Sequence, residues 1–498
     1  MYLSSPCKAN GDRRGATLGI NRGDFLRAAG ASLLSLPLLG FARERRRRVG
    51  AETVERTADT PPNIVAICTD DQTAASVWAM PTVMTELAAK GVRVLPAFAA
   101  TPICGPARAT LLSGRWSHNT RVTNTDGAYP RMKATGMETD TFATRLRRAG
   151  YVTGFFGKYN NDYDEPRVPP GWDRWFAFRE PLNRADWYEF NSDGNLRRFD
   201  RSRDNETDVL ASRVVDFVRA RQSTQPWLAY VCPHDPHGPY YPAKRHAEEF
   251  QGAAWDPKSE GEADLSDKPA LVRSEPTYTQ VEEAQNEQEY RGKLRELLAV
   301  DDLVRKVLFA LSDTGQLQDT YVFYFTDNGY LFGEHRLQKK NLPYDEACRT
   351  PFIVRGPGVR SLGFESNALV SQLDVAPTLC AIGGATTDGM DGRNLLPILA
   401  GEEPEWWRRC LMIENVEKGW YSLRTPTHWY TEWAATGEKE LYDLREGEDP
   451  EQMESLHRSD DPAIRTMISE LSATLGQLKR CSGQTCRRAD GGLDTVVP

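Results

Sequence analysis

The chain has 498 residues, 40% of them hydrophobic, with 62 basic and 70 acidic side chains for a formal charge of −8. That apolar content excludes whole-chain disorder, and the acidic balance argues against a nucleic-acid binder. Nine cysteines in this length are too sparse for a small disulfide scaffold, and about 150 residues per domain predicts roughly three domains, or one large domain with an appendage.

The charge is uneven. Residues 1–50 carry ten basic side chains against three acidic ones, a segment charge of +7 that leaves −15 on the rest. Between the basic flanks, Ala28 to Ala42 is an uncharged run of fifteen residues, too short for a membrane span and right for the apolar core of a signal peptide. The lead-in NRGDFLRAAG resembles a twin-arginine export signal, with Gly23 where the second arginine would stand. We therefore read 1–50 as a basic leader and expect an extracytoplasmic protein, secreted, periplasmic or at the cell surface. A basic arm on a cytoplasmic protein is the other reading. No further apolar run reaches 18 residues, so no stable membrane span beyond the leader is expected.

A polar linker at 51–62 ends in Pro61-Pro62. Asn63 to Cys68 is a short continuous apolar run, read as a strand buried on both faces. A helix over Met80–Lys90 and a strand over Val92–Phe98 follow. Tyr151–Phe156, Trp227–Cys232 and Tyr321–Phe325 are further buried strands. Leucines and valines at helical spacing predict a helix over Leu294–Leu311. The alternation predicts an α/β fold with a largely parallel sheet. Residues 253–290 are charged and poor in aliphatics, as a surface excursion would be. After about residue 403, Cys410–Ile413, Trp420–Arg424 and His428–Trp433 form a small antiparallel sheet, and Pro462–Leu478 a closing helix. Cys481 and Cys486 are close enough to pair in an oxidising compartment, and Cys68 and Cys232 are buried free thiols.

The most informative segment is Cys104-Gly-Pro-Ala-Arg108-Ala-Thr-Leu-Leu-Ser-Gly114-Arg115. Pro106 suits the first turn of a helix, with a stop near Gly114. Cys104 then lies at the helix N-terminus, where free N–H groups favour an anion, and Arg108 lies one turn along the same face. Asp70 and Asp71 follow one predicted strand, and Asp327 and Asn328 another. Ligands gather at the carboxyl ends of strands in such sheets, and four oxygen donors favour a hard cation, Ca²⁺ before Mg²⁺.

These segments together resemble the type I, formylglycine-dependent sulfatases of the alkaline phosphatase superfamily. The resemblance rests on Cys-x-Pro-x-Arg with Ala-Thr-Leu-Leu-Ser-Gly-Arg, on Asn63 to Gln72, and on Phe325-Thr-Asp-Asn-Gly-Tyr330 with Gly333-Glu-His335, Lys340 and Tyr344-Asp-Glu-Ala. Leu373 to Leu379, Asp391 to Leu396 and Leu441-Tyr-Asp-Leu444 add to it, so that it covers roughly 62–455. Gly157-Lys-Tyr-Asn-Asn, Pro170-Gly-Trp-Asp, Val300-Asp-Asp-Leu-Val and Lys339-Lys-Asn-Leu-Pro-Tyr344 draw it towards the N-acetylglucosamine-6-sulfatase-like branch.

The resemblance implies an alkaline-phosphatase-like sandwich. Its large, mostly parallel sheet is flanked by helices, and a smaller C-terminal domain carries a short antiparallel sheet and a helix. We place the catalytic domain at 63–402, the C-terminal subdomain at 403–480, and a tail with the Cys481–Cys486 disulfide at 481–498. The resemblance further implies that Cys104 becomes formylglycine through a formylglycine-generating enzyme, and that Asp70, Asp71, Asp327 and Asn328 hold the metal together with residue 104. Arg108 would hold the nucleophile and the metal-side aspartate, and Lys158 and Lys340 the sulfate oxygens. His237 would contact sulfate and protonate the leaving alcohol, with His234 the lesser choice. His118 and His335 would stand near the pocket, and Asn160 on the substrate side. Asn160 replaces a histidine that many sulfatases carry, which leaves the base for sulfate elimination unassigned and His118 its candidate by elimination. Gly105 stands where many members have Ser, Thr or Ala.

The leading expectation is hydrolysis of a sulfate ester on a small molecule or carbohydrate. A phosphonate monoester or phosphodiester hydrolase of the same superfamily is the runner-up, and an inactive glycan-binding homologue the third. The −15 body mildly favours short or singly sulfated substrates over long polyanions.

Overall fold

Alternation along one strand shows how the core is divided. In Asn63–Thr69 every residue is buried. Ile64, Ala66 and Cys68 enter one apolar cluster and Val65 and Ile67 another, because successive side chains of a strand point to opposite faces. The computed structural model describes residues 60–180, 185–221 and 224–491. The leader, its signal-like run and Cys7 lie outside the described residues, as do most of the linker and the end of the tail.

Asn63–Thr69 sits inside a ten-stranded sheet. The order is Phe364–Ser366, Val92–Val94, Phe352–Arg355, Thr320–Thr326, Asn63–Thr69, Trp227–Cys232, Val152–Gly157, Arg174–Phe178, Trp187–Ser192, Asn195–Asp200. The central strands from Thr320–Thr326 to Arg174–Phe178 pair in parallel. The hairpin Trp187–Asp200 and the strand Phe352–Arg355 join antiparallel. One face is covered by the helices Cys104–Ser113, Phe142–Arg148 and Val375–Ile382, through Leu111, Phe142, Leu146 and Leu379. The other is covered by Glu206–Arg219 and Gln280–Asp313, through Leu210, Val214, Leu297 and Val304. The fold is thus a large mixed, mostly parallel sheet between helical layers.

The strands Leu411–Asn415, Trp420–Arg424, His428–Trp433 and Lys439–Asp443 form a four-stranded antiparallel sheet. Helix Pro462–Leu478 joins its apolar cluster through Leu471, Leu475 and Leu478. Cys481 and Cys486 are joined by a disulfide, and Cys68 and Cys232 are free and buried. Among the described residues no helix is long and apolar enough to cross a membrane.

Three elements differ from expectation. The single strand over Val92–Phe98 is two, Val92–Val94 in the large sheet and Ala97–Phe98 paired with Val370–Ser371. Pro96 separates them, and it has no N–H for a ladder. The helix over Met80–Lys90 is reduced to the wide turns of Val83–Ala88, whose start is capped by Asp301 through the N–H groups of Thr82 and Val83. The charged excursion ends early, because the long helix begins at Gln280 rather than Leu294. A reciprocal Thr279–Glu282 cap starts it, a local signal independent of apolar periodicity.

Candidate active site

Four of the five parallel central strands deliver side chains at their carboxyl ends. Asp70 and Asp71 follow Asn63–Thr69, Asp327 and Asn328 follow Thr320–Thr326, Lys158 follows Val152–Gly157, and His237 lies five residues beyond Trp227–Cys232. Thr69 and Thr326 are in register, which sets the two acidic segments side by side.

Helix Cys104–Ser113 points its first turn at this rim, and Gly114 ends it at φ 65°. Cys104 is buried. Its Sγ lies 3.3 Å from Asp70 Oδ1, 3.9 Å from Asp71 Oδ1 and 2.9 Å from Lys340 Nζ. Arg108, one turn on, donates from Nε to Asp327 Oδ2 at 2.9 Å, from Nη2 to Asp70 Oδ2 at 3.1 Å, and from Nη1 to the Lys158 carbonyl at 2.6 Å. Lys158 pairs with Asp70 and Lys340 with Asp71. His237 Nε2 stands 3.6 Å from Asp71 Oδ2, and its Nδ1 is 2.6 Å from the Gly238 carbonyl. That carbonyl can only accept, so Nδ1 carries the proton and Nε2 faces the site.

Charge placement decides the protonation states. Burial, reinforced by the Asp70 carboxylate, pushes the Cys104 thiol well above its ordinary value. A protonated thiol is a poor nucleophile, so the unmodified cysteine does not suit attack. Burial alone would raise Asp71, but Lys340 and His237 outweigh it and hold the carboxyl well below its usual range. Burial pushes the His237 imidazole down to about 3, with Lys340 and Lys158 adding to the effect.

The residues present fit a hard divalent cation. Ligand atoms of Asp70, Asp71, Cys104 and His237 lie within 4.8 Å of one another. Asn328 donates from Nδ2 to Asp71 Oδ1 at 2.7 Å and to the Gly329 carbonyl at 2.8 Å. Its Oδ1 is buried without a hydrogen-bond partner, an acceptor whose burial otherwise costs about 1–3 kcal/mol. Asp327 meets the group through Arg108 and through the Asp71 N–H, which donates to Asp327 Oδ1 at 3.1 Å.

Four expected residues make their hydrogen bonds and ring contacts with other groups. His118 Nδ1 lies 2.9 Å from Glu414 Oε2 and its Nε2 3.0 Å from the Cys481 carbonyl. Both ring nitrogens are engaged by the C-terminal region. His335 is fully buried, with Nδ1 2.6 Å from Glu262 Oε2 and its ring 4.4 Å from that of Tyr344. Asn160 donates to the Gly105 carbonyl at 3.3 Å, in the first turn of the Cys104 helix, and accepts from the Asn161 N–H at 2.8 Å. His234 lies 3.4 Å from Glu206 and stacks on His237. Its neighbour His237 is therefore the histidine at the site. Lys293, on the long helix, reaches the same rim and was not among the expected residues. The available signal was a lysine next to Leu294 at the edge of an apolar stripe.

Gly105 has a steric reason. A Cβ there would meet Thr125 Cα at 2.8 Å, Ala128 Cβ at 2.9 Å and the Asn124 carbonyl at 3.0 Å. Gly105→Ser is therefore expected to lower stability by about 1–3 kcal/mol, the usual cost of overpacking, as a fall in chemical-denaturation midpoint. An unchanged midpoint would show that the 124–128 loop moves aside freely.

Comparison with known proteins finds matches over most of the chain. A family model described as Sulfatase matches residues 62–385, and one described as N-sulphoglucosamine sulphohydrolase, C-terminal, matches 333–481. The N-acetylglucosamine-6-sulfatase of Homo sapiens is 29% identical over 481 residues, 86% of each chain. The extracellular sulfatase SULF-1 homolog of Drosophila melanogaster is 33% identical over 412 residues, 78% of this chain and 36% of that relative. The chain thus spans about a third of that relative's length. Among solved structures, one determined in complex with its substrate D-glucosamine-2-N,6-O-disulfate superposes with a TM-score of 0.73 at 22% identity, covering 87% of this chain and 100% of that one.

Proposed function

The chain belongs to the sulfatase family, and from that premise we propose that it hydrolyses a sulfate ester on a carbohydrate, with residue 104 as the nucleophile's source. The carrying observation is Cys104 Sγ at a helix N-terminus, 3.3 Å from Asp70, 3.9 Å from Asp71 and 2.9 Å from Lys340. Conversion of Cys104 to formylglycine by a generating enzyme would supply a hydrated aldehyde as nucleophile. A divalent cation on Asp70, Asp71, Asp327 and Asn328, Ca²⁺ by its oxygen donors, would supply charge to polarise it.

The chain's own groups do the rest. Arg108 braces Asp70 and Asp327, so both carboxylates keep their orientation. Lys340 and Lys158 are placed to take sulfate oxygens, and preplaced charges of this kind are worth several kcal/mol in the transition state. His237 presents Nε2 towards the same space and is the group to hand a proton to the leaving alcohol. Its low affinity for a proton in the ligand-free site rises as the sulfate anion arrives beside it. The names of the glucosamine-sulfatase relative and of the disulfated-glucosamine complex make 6-O-sulfated glucosamine the first substrate to try. The basic leader and the extracellular relative support export.

Mass spectrometry of the tryptic peptide that begins after Arg93 and contains Cys104 tests the modification. We expect a formylglycine mass in protein from a host with the oxidising enzyme, together with turnover of an aryl sulfate and of glucosamine 6-sulfate. Turnover of an aryl phosphonate ester without any sulfate ester would overturn the reading. An intact thiol in inactive native protein would point to a glycan-binding homologue.

A further inference from the structure

Helix Gln280–Asp313 carries a buried lysine that touches three segments of the rim. Lys293 is 2% exposed. Its Nζ donates to the Asp71 carbonyl at 3.2 Å and to the Pro236 carbonyl at 3.1 Å. The same ammonium lies 3.8 Å from the centre of the Tyr330 ring. Those contacts belong to three chain segments far apart in sequence: the Asp70-Asp71 loop, the loop that ends in His237, and the turn after Asp327-Asn328. An ammonium has three donors, and here two meet carbonyls while the cation faces a ring.

The neighbouring positions on the helix act on the same segments. Glu289, one turn earlier, accepts from the Tyr330 hydroxyl at 3.1 Å. Glu296 accepts from the Tyr241 N–H at 2.5 Å. Positions 289, 293 and 296 share one helix face, so a rigid element sets the spacing of loops that have no regular structure of their own. The grip matters most at Asp71, whose φ of 61° is in the left-handed region. A non-glycine residue held there costs of order 1–3 kcal/mol and persists only where its surroundings enforce it.

We propose that Lys293 is a positioning residue that locks Asp71, His237 and the Asp327-Asn328 turn into one metal- and sulfate-binding arrangement. It acts through the backbone of Asp71 and Pro236 and touches neither the reacting atoms nor the carboxylates. The proposal rests on the reading of the site given above. Partners of this outer kind typically govern 10–100-fold in metal affinity or activity.

The test compares wild type with Lys293→Met, which keeps the length and removes donors and charge. Calcium is titrated calorimetrically into chelator-treated protein, and aryl sulfate kinetics are measured on the calcium-loaded enzyme. The expected result is calcium binding weakened about 10–100-fold and kcat lowered about 100-fold, with KM within about threefold. Lys293→Arg, which restores donors and charge, should regain at least about half of the lost calcium affinity on a logarithmic scale. A folded Lys293→Met that binds calcium and turns over substrate within twofold of wild type overturns the proposal. Where that variant does not fold, the milder Lys293→Gln is expected to weaken calcium about tenfold, and wild-type affinity in it overturns the proposal equally. Wild type that binds no calcium at all sinks the reading of the metal site instead, so the two failures are distinguishable.

Discussion

Cys104→Ala is expected to abolish sulfate-ester turnover, with a loss on the order of 10⁴-fold or more in kcat, the scale seen when a nucleophile is deleted. The side chain is buried at the first turn of its helix. Alanine removes only the sulfur of the cysteine, or the oxygen of the converted residue, so the fold should survive with a small change in stability. Turnover of an aryl sulfate by protein of matched melting temperature is the measurement. The effect should be insensitive to added calcium, because Asp70, Asp71, Asp327 and Asn328 remain. Residual activity within tenfold of wild type would show that the reaction does not pass through residue 104.

The second large effect is Arg108→Ala. Its guanidinium is 1% exposed and bridges two carboxylates that are fully buried. Removing one partner of a buried ion pair leaves uncompensated charge and costs about 3–5 kcal/mol. Here two carboxylates and the Lys158 carbonyl lose a donor together, so the upper part of that range is expected. Arg108→Lys separates charge from geometry. A lysine keeps the cation, but as a point charge it cannot hold Asp70, Asp327 and the Lys158 carbonyl at once. It should recover part of the stability while activity stays about 10–100-fold down, the usual loss when a group that orients metal-site ligands goes. Denaturant unfolding and aryl sulfate kinetics on the same preparations decide it. An Arg108→Lys enzyme with wild-type kcat would show that charge alone suffices.

Much of the framework was legible along the chain, for local physical reasons. Asn63–Cys68, Trp227–Cys232 and Tyr321–Phe325 are continuous apolar runs, which is what a strand covered on both faces must be. Cys104 and Arg108 are four apart, and Pro106 and Gly114 mark where that helix starts and stops, so their common face follows from the helical repeat alone. Three of the four antiparallel strands were legible and Lys439–Asp443 was not, while helix Pro462–Leu478 has the expected bounds. The charged start of the long helix was harder. Its first turns bury little besides Asn286 and Tyr290, so periodicity had nothing to register and only the Thr279–Glu282 cap remained.

The histidines and Lys293 required the assembled molecule. His234 and His237 flank the same cis Asp235–Pro236 bond, and only packing turns one towards Glu206 and the other towards Asp71. His118 looks like a pocket residue beside the Cys104 helix until Glu414, almost 300 positions later, takes its ring. Lys293 stands just before the helix expected from periodicity, with nothing to mark it until Asp71 and Pro236 come to meet it. A residue's helical or strand face is set within a few neighbours by backbone geometry. Its role is set by which distant groups share its desolvated space, and that is decided only when the sheet brings the strand ends together.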